Sequence, residues 1–390
     1  MNKKLNILMV SDSFYPVIGG REHVIHNLMQ NLSSRSAPLL LTGTFKGQNK
    51  KELNTQKYKT IRCKSLRLTK NEYLNFMDRK TKKQIESLSG SIDIIHTQTK
   101  FALARFAIKL GKRLGVPVVT TCHTNYPLQY KSQLKIPILY KPFLRHTKKT
   151  INSCFRVFTI SSHMKEVLVD MGVNRPIGVI PNGNDLENLT LDDTSINLPQ
   201  NHSLNSAENL FIFVGRITKA KNLGLLLNAL KRVKESGVSF KTIFVGDGDI
   251  KKYSSLAQKL GIGENCVFAG KITDRQELFN LYRASKLNLF PSVCESFGLT
   301  VRESASAGVP SVVIEGSAPA EDIVHGKNGY ISPCSPEDFA NTIMLALNDP
   351  KLKEVGEQAK KISKSWNEVT ELHLKEYETI IEEYNKQKSV

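Results

Sequence analysis

Short apolar, β-branched runs ending in glycine or a small polar residue alternate along this chain with longer stretches of helical apolar spacing. "LNILMVSDS" leads into a helical pattern near 20–33, "SIDIIHTQT" into one near 101–114, "VPVVTTCHT" into one near 135–152 and "RVFTISS" into one near 162–171. A second series opens at "LFIFVGRIT", followed by a helix near 221–236, and continues through "FKTIFVGDGD" with a helix near 250–260. It closes with "NCVFAGKIT", "KLNLFPS" before a helix near 301–308, and "VPSVVIE". Alternation of this kind predicts βαβ units and parallel sheets. Two series predict an α/β chain of two doubly wound, Rossmann-like domains.

The polar stretch "LENLTLDDTSINLPQNHSLNSAEN" separates the series. It predicts a connector over 186–208, between a first domain over 1–185 and a second over 209–365. Apolar or aromatic residues at 366, 369, 372, 374, 377, 380, 381 and 384 predict a terminal helix over about 366–386. Tandem sheets of this type predict a ligand in the cleft between them, held by loops at the C-terminal strand ends.

The length of 390 residues suits two domains, and 40% hydrophobic residues fill two cores. No run approaches the ~20 apolar residues that span a bilayer. The start, "MNKKLNILMVSDSFYP", fits a first strand better than a signal peptide, since its apolar run is too short. The cysteines at 63, 122, 154, 266, 294 and 334 form no CxxC pair. They predict reduced thiols in a cytoplasmic protein and no structural zinc. Net charge is +19, and it is one-sided: residues 1–190 hold 31 Lys and Arg against 11 Asp and Glu, while residues 191–390 hold 24 against 25. Such a field suits a polyanion, either nucleic acid or an anionic membrane surface, or it is a lysine-rich solvated face.

The chemistry-bearing residues fall at strand ends. Gly19 and Gly20 follow the first strand at the start of a helix, where backbone N–H groups and the helix dipole favour an anion; an ordinary loop turn fits equally well. The spacing is not GxGxxG, which argues against a dinucleotide dehydrogenase. Arg216 and Lys221 lie just beyond a strand and form either a diphosphate clamp or two surface charges. In "PSVCESFGLTVRESASAGVP", Glu295 and Glu303 bracket a turn in which Ser296, Phe297, Gly298 and Leu299 present backbone N–H groups. Carboxylates accept well from vicinal diols, one suiting a hexose and the other a ribose. Complementing a helix dipole would explain Glu303 but not Glu295.

Taken together, the R-x4-K pair Arg216/Lys221, the E-x7-E pair with "ESFGL", "GVPSVV", "HGKNGY" and the early "GG" resemble the family-4 retaining glycosyltransferases over nearly the whole chain. The resemblance implies two Rossmann-like domains of GT-B type facing across a cleft, with the terminal helix crossing back onto the first. It implies that Arg216 and Lys221 bind the donor diphosphate, Glu295 contacts the sugar, and Glu303 contacts the ribose. Gly19 and Gly20 fall at the family's glycine loop, and Lys271 and Ile272 join the donor contacts. His123 of "CHT" lies near the transferred sugar, although a histidine at a loop end is by itself more often structural. Asn182 and Asp185 of "PNGND" match the interdomain motif. Two positions depart from the pattern: Asn222, where glycine is frequent, and Arg302, a basic residue beside the donor loop with a bearing on donor choice. The resemblance implies no metal and no cofactor, the nucleotide-sugar being a co-substrate. The "DGD" at 247–249 falls where the family has a turn and no metal. No carboxylate is placed as a nucleophile, so front-side attack with retention is expected.

The family's acceptor side is the N-terminal half, which carries the excess charge. Arg105, Lys109, Lys112 and Arg113 share a helix with an apolar face. Lys131, Lys135, Lys141, Arg145, Lys148 and Lys149 interleave with Ile136, Ile138, Leu139, Tyr140 and Phe143. That pattern suits peripheral docking on anionic lipid or an amphipathic core helix. "DIIHTQTKFAL" with "VPVVTTCHTNY" is loosely similar to the bacterial diacylglycerol glucosyltransferase branch. The expectation is transfer of a hexose from a nucleotide-sugar, a UDP-sugar on family grounds, to a membrane lipid such as diacylglycerol or a glycolipid at the inner face of the cell membrane. The alternative is a soluble, peptide or polysaccharide-type acceptor. A nucleic-acid-binding role has no recognition motif to support it and leaves the donor constellation without a purpose.

Overall fold

The computed structural model describes residues 4–17, 19–45, 57–67, 73–134, 136–186, 189 and 209–389. It divides into two compact units, one comprising 1–183 with 366–390 and the other 184–365. Most of the expected connector, and Lys135 of the basic segment, lie outside the described residues.

The first unit is built on an eight-stranded sheet. Its strands are β1 Asn6–Val10, β2 Ala37–Gly43, β3 Lys59–Arg67, β4 Tyr73–Phe76, β5 Ile94–Thr97, β6 Val118–Cys122, β7 Arg156–Thr159 and β8 Ile177–Val179. Their order is β4-β3-β2-β1-β5-β6-β7-β8, parallel except for the β3–β4 pair. The order reverses direction at β1, which pairs with both β2 and β5. β5 and β6 are buried along their full length, as strands with helices on both faces must be.

The helix Trp366–Lys388 belongs to this unit. Its buried residues Trp366, Val369, Thr370, His373, Tyr377 and Ile380 make a stripe at helical spacing. Trp366 packs so closely on the chain that a Cβ at Gly183 would come within 2.6 Å of its ring, which accounts for the glycine of "PNG". Arg156 donates to Glu383 at 2.6 Å and to Glu376 at 3.3 Å, and the Lys388 ammonium donates to the Gly115 carbonyl at 2.6 Å.

The second unit carries a six-stranded, all-parallel sheet: β9 Asn209–Val214, β10 Phe240–Val245, β11 Cys266–Gly270, β12 Leu287–Phe290, β13 Ser311–Ile314 and β14 Tyr330–Ser332. The order is β11-β10-β9-β12-β13-β14, with the reversal at β9. In β9, Phe211 and Phe213 enter one core while Leu210, Ile212 and Val214 enter the other. In β10, Phe240 and Phe244 face the first core, and Ile243 and Val245 the second. Both faces are therefore dry, which explains why these strands are continuous apolar runs without alternation.

Two differences from the sequence pattern have local causes. The helix expected near 135–152 is present as Pro137–Asn152, and the helix Tyr126–Leu134 before it is one the pattern did not predict. Pro137 stands at the first position of the former, where its missing N–H costs nothing. The helix Arg275–Ala284 is additional, capped by Asp274, whose side chain accepts from the Glu277 N–H at 2.9 Å.

Candidate active site

In a doubly wound sheet the ligand-binding loops lie at the C-terminal strand ends, where the order reverses. In the second unit that point lies between β9 and β12. β9 runs into Gly215, Arg216 and a single tight turn, Lys219–Lys221, before the helix Leu223–Glu235. The joint is Asn222, at φ 57°, ψ 33°, and asparagine is one of the few side chains that tolerates this left-handed conformation. Its amide donates to the Pro291 carbonyl at 3.4 Å, tying the turn to the loop after β12.

That loop delivers Glu295. The Lys221 ammonium is ion-paired with Glu295 Oε1, and Ser292 Oγ donates to the same oxygen at 2.9 Å. Lys221 also lies 5.3 Å from the Phe290 ring centroid. Both charged side chains are only 17% exposed, so their attraction is screened less than that of a surface pair. Two residues expected to bind different parts of one donor thus touch each other. An ammonium has three donors, however, and one carboxylate does not exhaust it. Arg216 is exposed and makes no ion pair among the described residues.

Beyond Glu295 the chain turns at Gly298, at φ 77°, into the helix Leu299–Ser306. A Cβ there would come within 2.8 Å of Pro319, so glycine is required on two grounds. Phe297 is buried, and Ser296 and Leu299 are half-buried. Glu303 lies in the body of this helix with both carboxylate oxygens engaged. Arg275 Nη2 donates to Oε1 at 2.8 Å and Tyr282 OH donates to Oε2 at 3.2 Å. The same Nη2 is paired with Asp185.

Arg302 is turned into the protein rather than toward solvent. It is 2% exposed and donates to the carbonyls of Phe297 and Pro319 and to Asp322, with its guanidinium 4.4 Å from the Phe297 ring centroid. It holds the glutamate-bearing loop against the segment after β13. Lys271 is exposed after β11, whereas Ile272 is half-buried with its side chain packed against the core. In "DGD", a Cβ at Gly248 would come within 2.5 Å of the Ile217 carbonyl oxygen, so the glycine serves close backbone packing. Among the described residues no group of three or more His, Cys, Asp or Glu is placed to hold a metal ion. Asp185 of "PNGND" pairs with Arg275, while Asn182 is buried in the first unit.

The first unit has its own cluster at the reversal between β1 and β5. Gly19 caps the helix Gly20–Leu32 in extended backbone, and nothing lies within 4 Å of a Cβ built at Gly20. Glu22, in the first turn, accepts from Ser13 and from Arg21, so a carboxylate of the chain itself already stands at this helix N-terminus. His123, after β6, is hydrogen-bonded through Nε2 to Gln98 Oε1. An amide oxygen only accepts, so Nε2 carries the proton and Nδ1 keeps its lone pair. Burial, then the nearby Arg21 and His373, push the His123 pKa down to about 3, and the ring is neutral at physiological pH. Gln98 donates onward to His96 Nε2 at 3.2 Å, and His96 Nδ1 is bonded to Tyr377 OH on the terminal helix.

Lys131, Lys141, Arg145 and Lys149 are exposed, and so are Ile136, Ile138, Leu139 and Phe143, Ile138 at 77%. Beside them a cavity of about 480 Å³ is lined by Lys141, Arg145 and Lys148 over Leu144, Val167 and Met171.

Sequence reasoning missed Arg275, Tyr282, Gln98, Glu22 and the supporting role of Arg302. One signal was available. Arg275 is the first residue of its helix, where a cation opposes the dipole, and such a placement calls for a nearby anion.

Two family models match this chain: Glycosyltransferase Family 4 over residues 18–188 and Glycosyl transferases group 1 over residues 195–363. Alpha-monoglucosyldiacylglycerol synthase of Streptococcus pneumoniae is 27% identical over 354 residues, 88% of this chain and 78% of that protein. Sulfoquinovosyl transferase of Arabidopsis thaliana is 28% identical over 277 residues, 67% of this chain and 51% of that one. The crystal structure of HepE from Anabaena in complex with UDP is similar with a TM-score of 0.76 at 18% identity, over 96% of this chain and 100% of that one. WaaG, a glycosyltransferase involved in lipopolysaccharide biosynthesis, gives a TM-score of 0.67 at 18% identity, over 96% and 99%.

Proposed function

The chain belongs to the glycosyltransferases of group 1 and family 4, of GT-B fold, and from that premise we propose that it transfers a hexose from a nucleotide-sugar, a UDP-sugar, to a membrane lipid such as diacylglycerol or a glycolipid. The observation that carries the donor half of this reading is the contact between Lys221 and Glu295 where the second sheet reverses, beside an exposed Arg216 and a fixed Glu303. A diphosphate entering there meets the spare donors of Lys221 and the fork of Arg216. These cations stabilise the charge that grows on the leaving phosphate, so the reaction needs no metal in this reading. Glu295, oriented by Ser292, accepts from sugar hydroxyls, and Glu303 accepts from the ribose. The departing phosphate takes the acceptor's proton on the face it leaves, and the configuration is retained. His123 contributes a neutral ring with a free Nδ1 acceptor for a hydroxyl.

The lipid half is supported by two synthases of the same name among the relatives, one from Streptococcus pneumoniae and one from Acholeplasma laidlawii at 23% identity. It is also supported by the exposed apolar and basic residues of the helix Pro137–Asn152. No helix among the described residues is long and apolar enough to cross a membrane. On the strength of that basic and apolar helix, the reading places the protein peripherally on an anionic surface.

The test is transfer from labelled UDP-hexoses to diacylglycerol presented in anionic vesicles, with lipid product and released UDP both measured. The expected result is a labelled glycolipid, with turnover lowered roughly 10²–10³-fold in Arg216→Ala. Transfer only to soluble sugars or glycans would replace the lipid acceptor. An unchanged rate in Arg216→Ala would remove Arg216 from the clamp.

A further inference from the structure

We propose that Arg275, together with Tyr282, is a positioning residue that fixes the Glu303 carboxylate for recognition of the nucleotide's ribose hydroxyls. The inference rests on the reading of Glu303 as the ribose ligand and goes beyond it, because neither residue belongs to the motifs that suggested the site.

The geometry is specific. A carboxylate offers about four lone-pair directions on two oxygens, and a carboxylate on a helix surface otherwise rotates freely about its last torsion. Here each oxygen is held from a different side, Oε1 by Arg275 at 2.8 Å and Oε2 by the buried Tyr282 hydroxyl at 3.2 Å, whose one hydrogen is shared with the Thr300 carbonyl at 3.3 Å. One direction on each oxygen is occupied, and the remaining directions form a fixed pair of acceptors of the kind a vicinal diol requires. Glu303 itself is 13% exposed, enough to meet a ligand on one side only.

Arg275 is held in turn. Its Nη2 carries two hydrogens and meets two carboxylates, Glu303 and Asp185. Asp185 thus holds the guanidinium from a second side and keeps it from swinging away. Burial alone would lower the Arg275 pKa, but the two acids raise it above its ordinary value, so the cation persists at any working pH. Lysine at 275 would keep the charge and lose the rigid planar head that aims Nη2 at both acids. The placement also explains why a cation occupies the first position of this helix against the dipole.

Binding of UDP and of 2′-deoxy-UDP is measured by calorimetry for the wild-type protein, Glu303→Gln, Arg275→Met, Arg275→Lys and Tyr282→Phe. Thermal unfolding of each variant is recorded alongside. Wild type is expected to favour UDP over 2′-deoxy-UDP by about 10-fold or more, the usual range for a hydrogen bond to a charged group. Arg275→Met is expected to erase most of that preference while leaving affinity for 2′-deoxy-UDP within about threefold of wild type, and Arg275→Lys to restore part of it. Tyr282→Phe, which keeps the ring, is expected to reduce the preference more mildly, and it carries the test should Arg275→Met fail to fold. A loss that is equal for both nucleotides in Arg275→Met and Tyr282→Phe would mean general damage and would overturn the inference. An undiminished preference in Glu303→Gln would overturn the ribose role of Glu303 as well. A preference lost in Glu303→Gln yet kept in folded Arg275 and Tyr282 variants would overturn the positioning role alone.

Discussion

Arg302 shows how a single side chain acquires a role from its surroundings. In a list of residues it stands one place before Glu303, as though offered to a phosphate. In the structure its guanidinium is buried and serves two main-chain carbonyls and Asp322. Desolvation lowers its pKa and Asp322 opposes that. Arg302→Met keeps most of the volume but strips two carbonyls of their donor, while Asp322, half exposed, returns to water. A loss of about 2–3 kcal/mol in urea unfolding is expected, mostly from the carbonyls, with weaker UDP binding as the glutamate loop loosens. A variant as stable as the parent would show that water replaces the guanidinium. The E-x7-E and R-x4-K spacings were legible in sequence because both members of each pair lie in one short segment following a strand. Partners such as Tyr282 were not, since a tyrosine 21 positions from its glutamate carries no local signature. Asn222 lies between these cases: the departure from glycine was visible, and its left-handed backbone explains why asparagine is the tolerated substitute.

Among the elements, the terminal helix has the most unusual interface, because its buried stripe contains His373 and Tyr377 against His96 and Phe158. His96 is bonded on both ring nitrogens, whereas His373 Nδ1 has no partner among the described residues. Burial pushes the His373 pKa down to about 3, and burial with the neighbouring His373 and His123 lowers that of His96 well below its usual value. The unfolded chain takes up these protons near pH 6.5, and the folded one does not. Stability is therefore complete above about pH 6.5 and falls as the pH drops from there toward 3, by up to about 1.4 kcal/mol per pH unit for each histidine. Thermal unfolding between pH 8 and pH 4.5 should show this slope, and His373→Phe should flatten it with little change at pH 8. An identical slope in that variant would exclude His373 as a source. The helix itself was legible from its apolar spacing, but the buried imidazoles were not, because periodicity records which face is covered and not by what. The helix Tyr126–Leu134 was missed for a different reason, since only Tyr126 and Tyr130 of it are buried and its amphipathic pattern is weak.

At the scale of the whole molecule, charge and fold are separate statements. Two parallel sheets were readable because strands dry on both faces leave continuous apolar runs, while the cation excess of residues 1–190 contributes nothing to the sheets. It bears instead on what the surface attracts. A basic surface alone would bind any polyanion, but the helix Pro137–Asn152 adds exposed Ile138, Leu139 and Phe143 beside Lys141 and Arg145, a combination that nucleic acid does not reward. Near an anionic bilayer each such cation is worth about 1 kcal/mol, so the double change Lys141→Gln with Arg145→Gln should weaken binding roughly 30-fold. Sedimentation with phosphatidylglycerol-containing vesicles measures that ratio, with phosphatidylcholine vesicles as the uncharged reference and added salt as the screening control. Replacing Ile138 and Phe143 by serine separates the two contributions, since it should weaken binding at every salt concentration, whereas the charge change matters only when salt is low. Equal sedimentation of the wild-type protein with both vesicle types would leave the basic half a solvated face and return the acceptor question to soluble glycans.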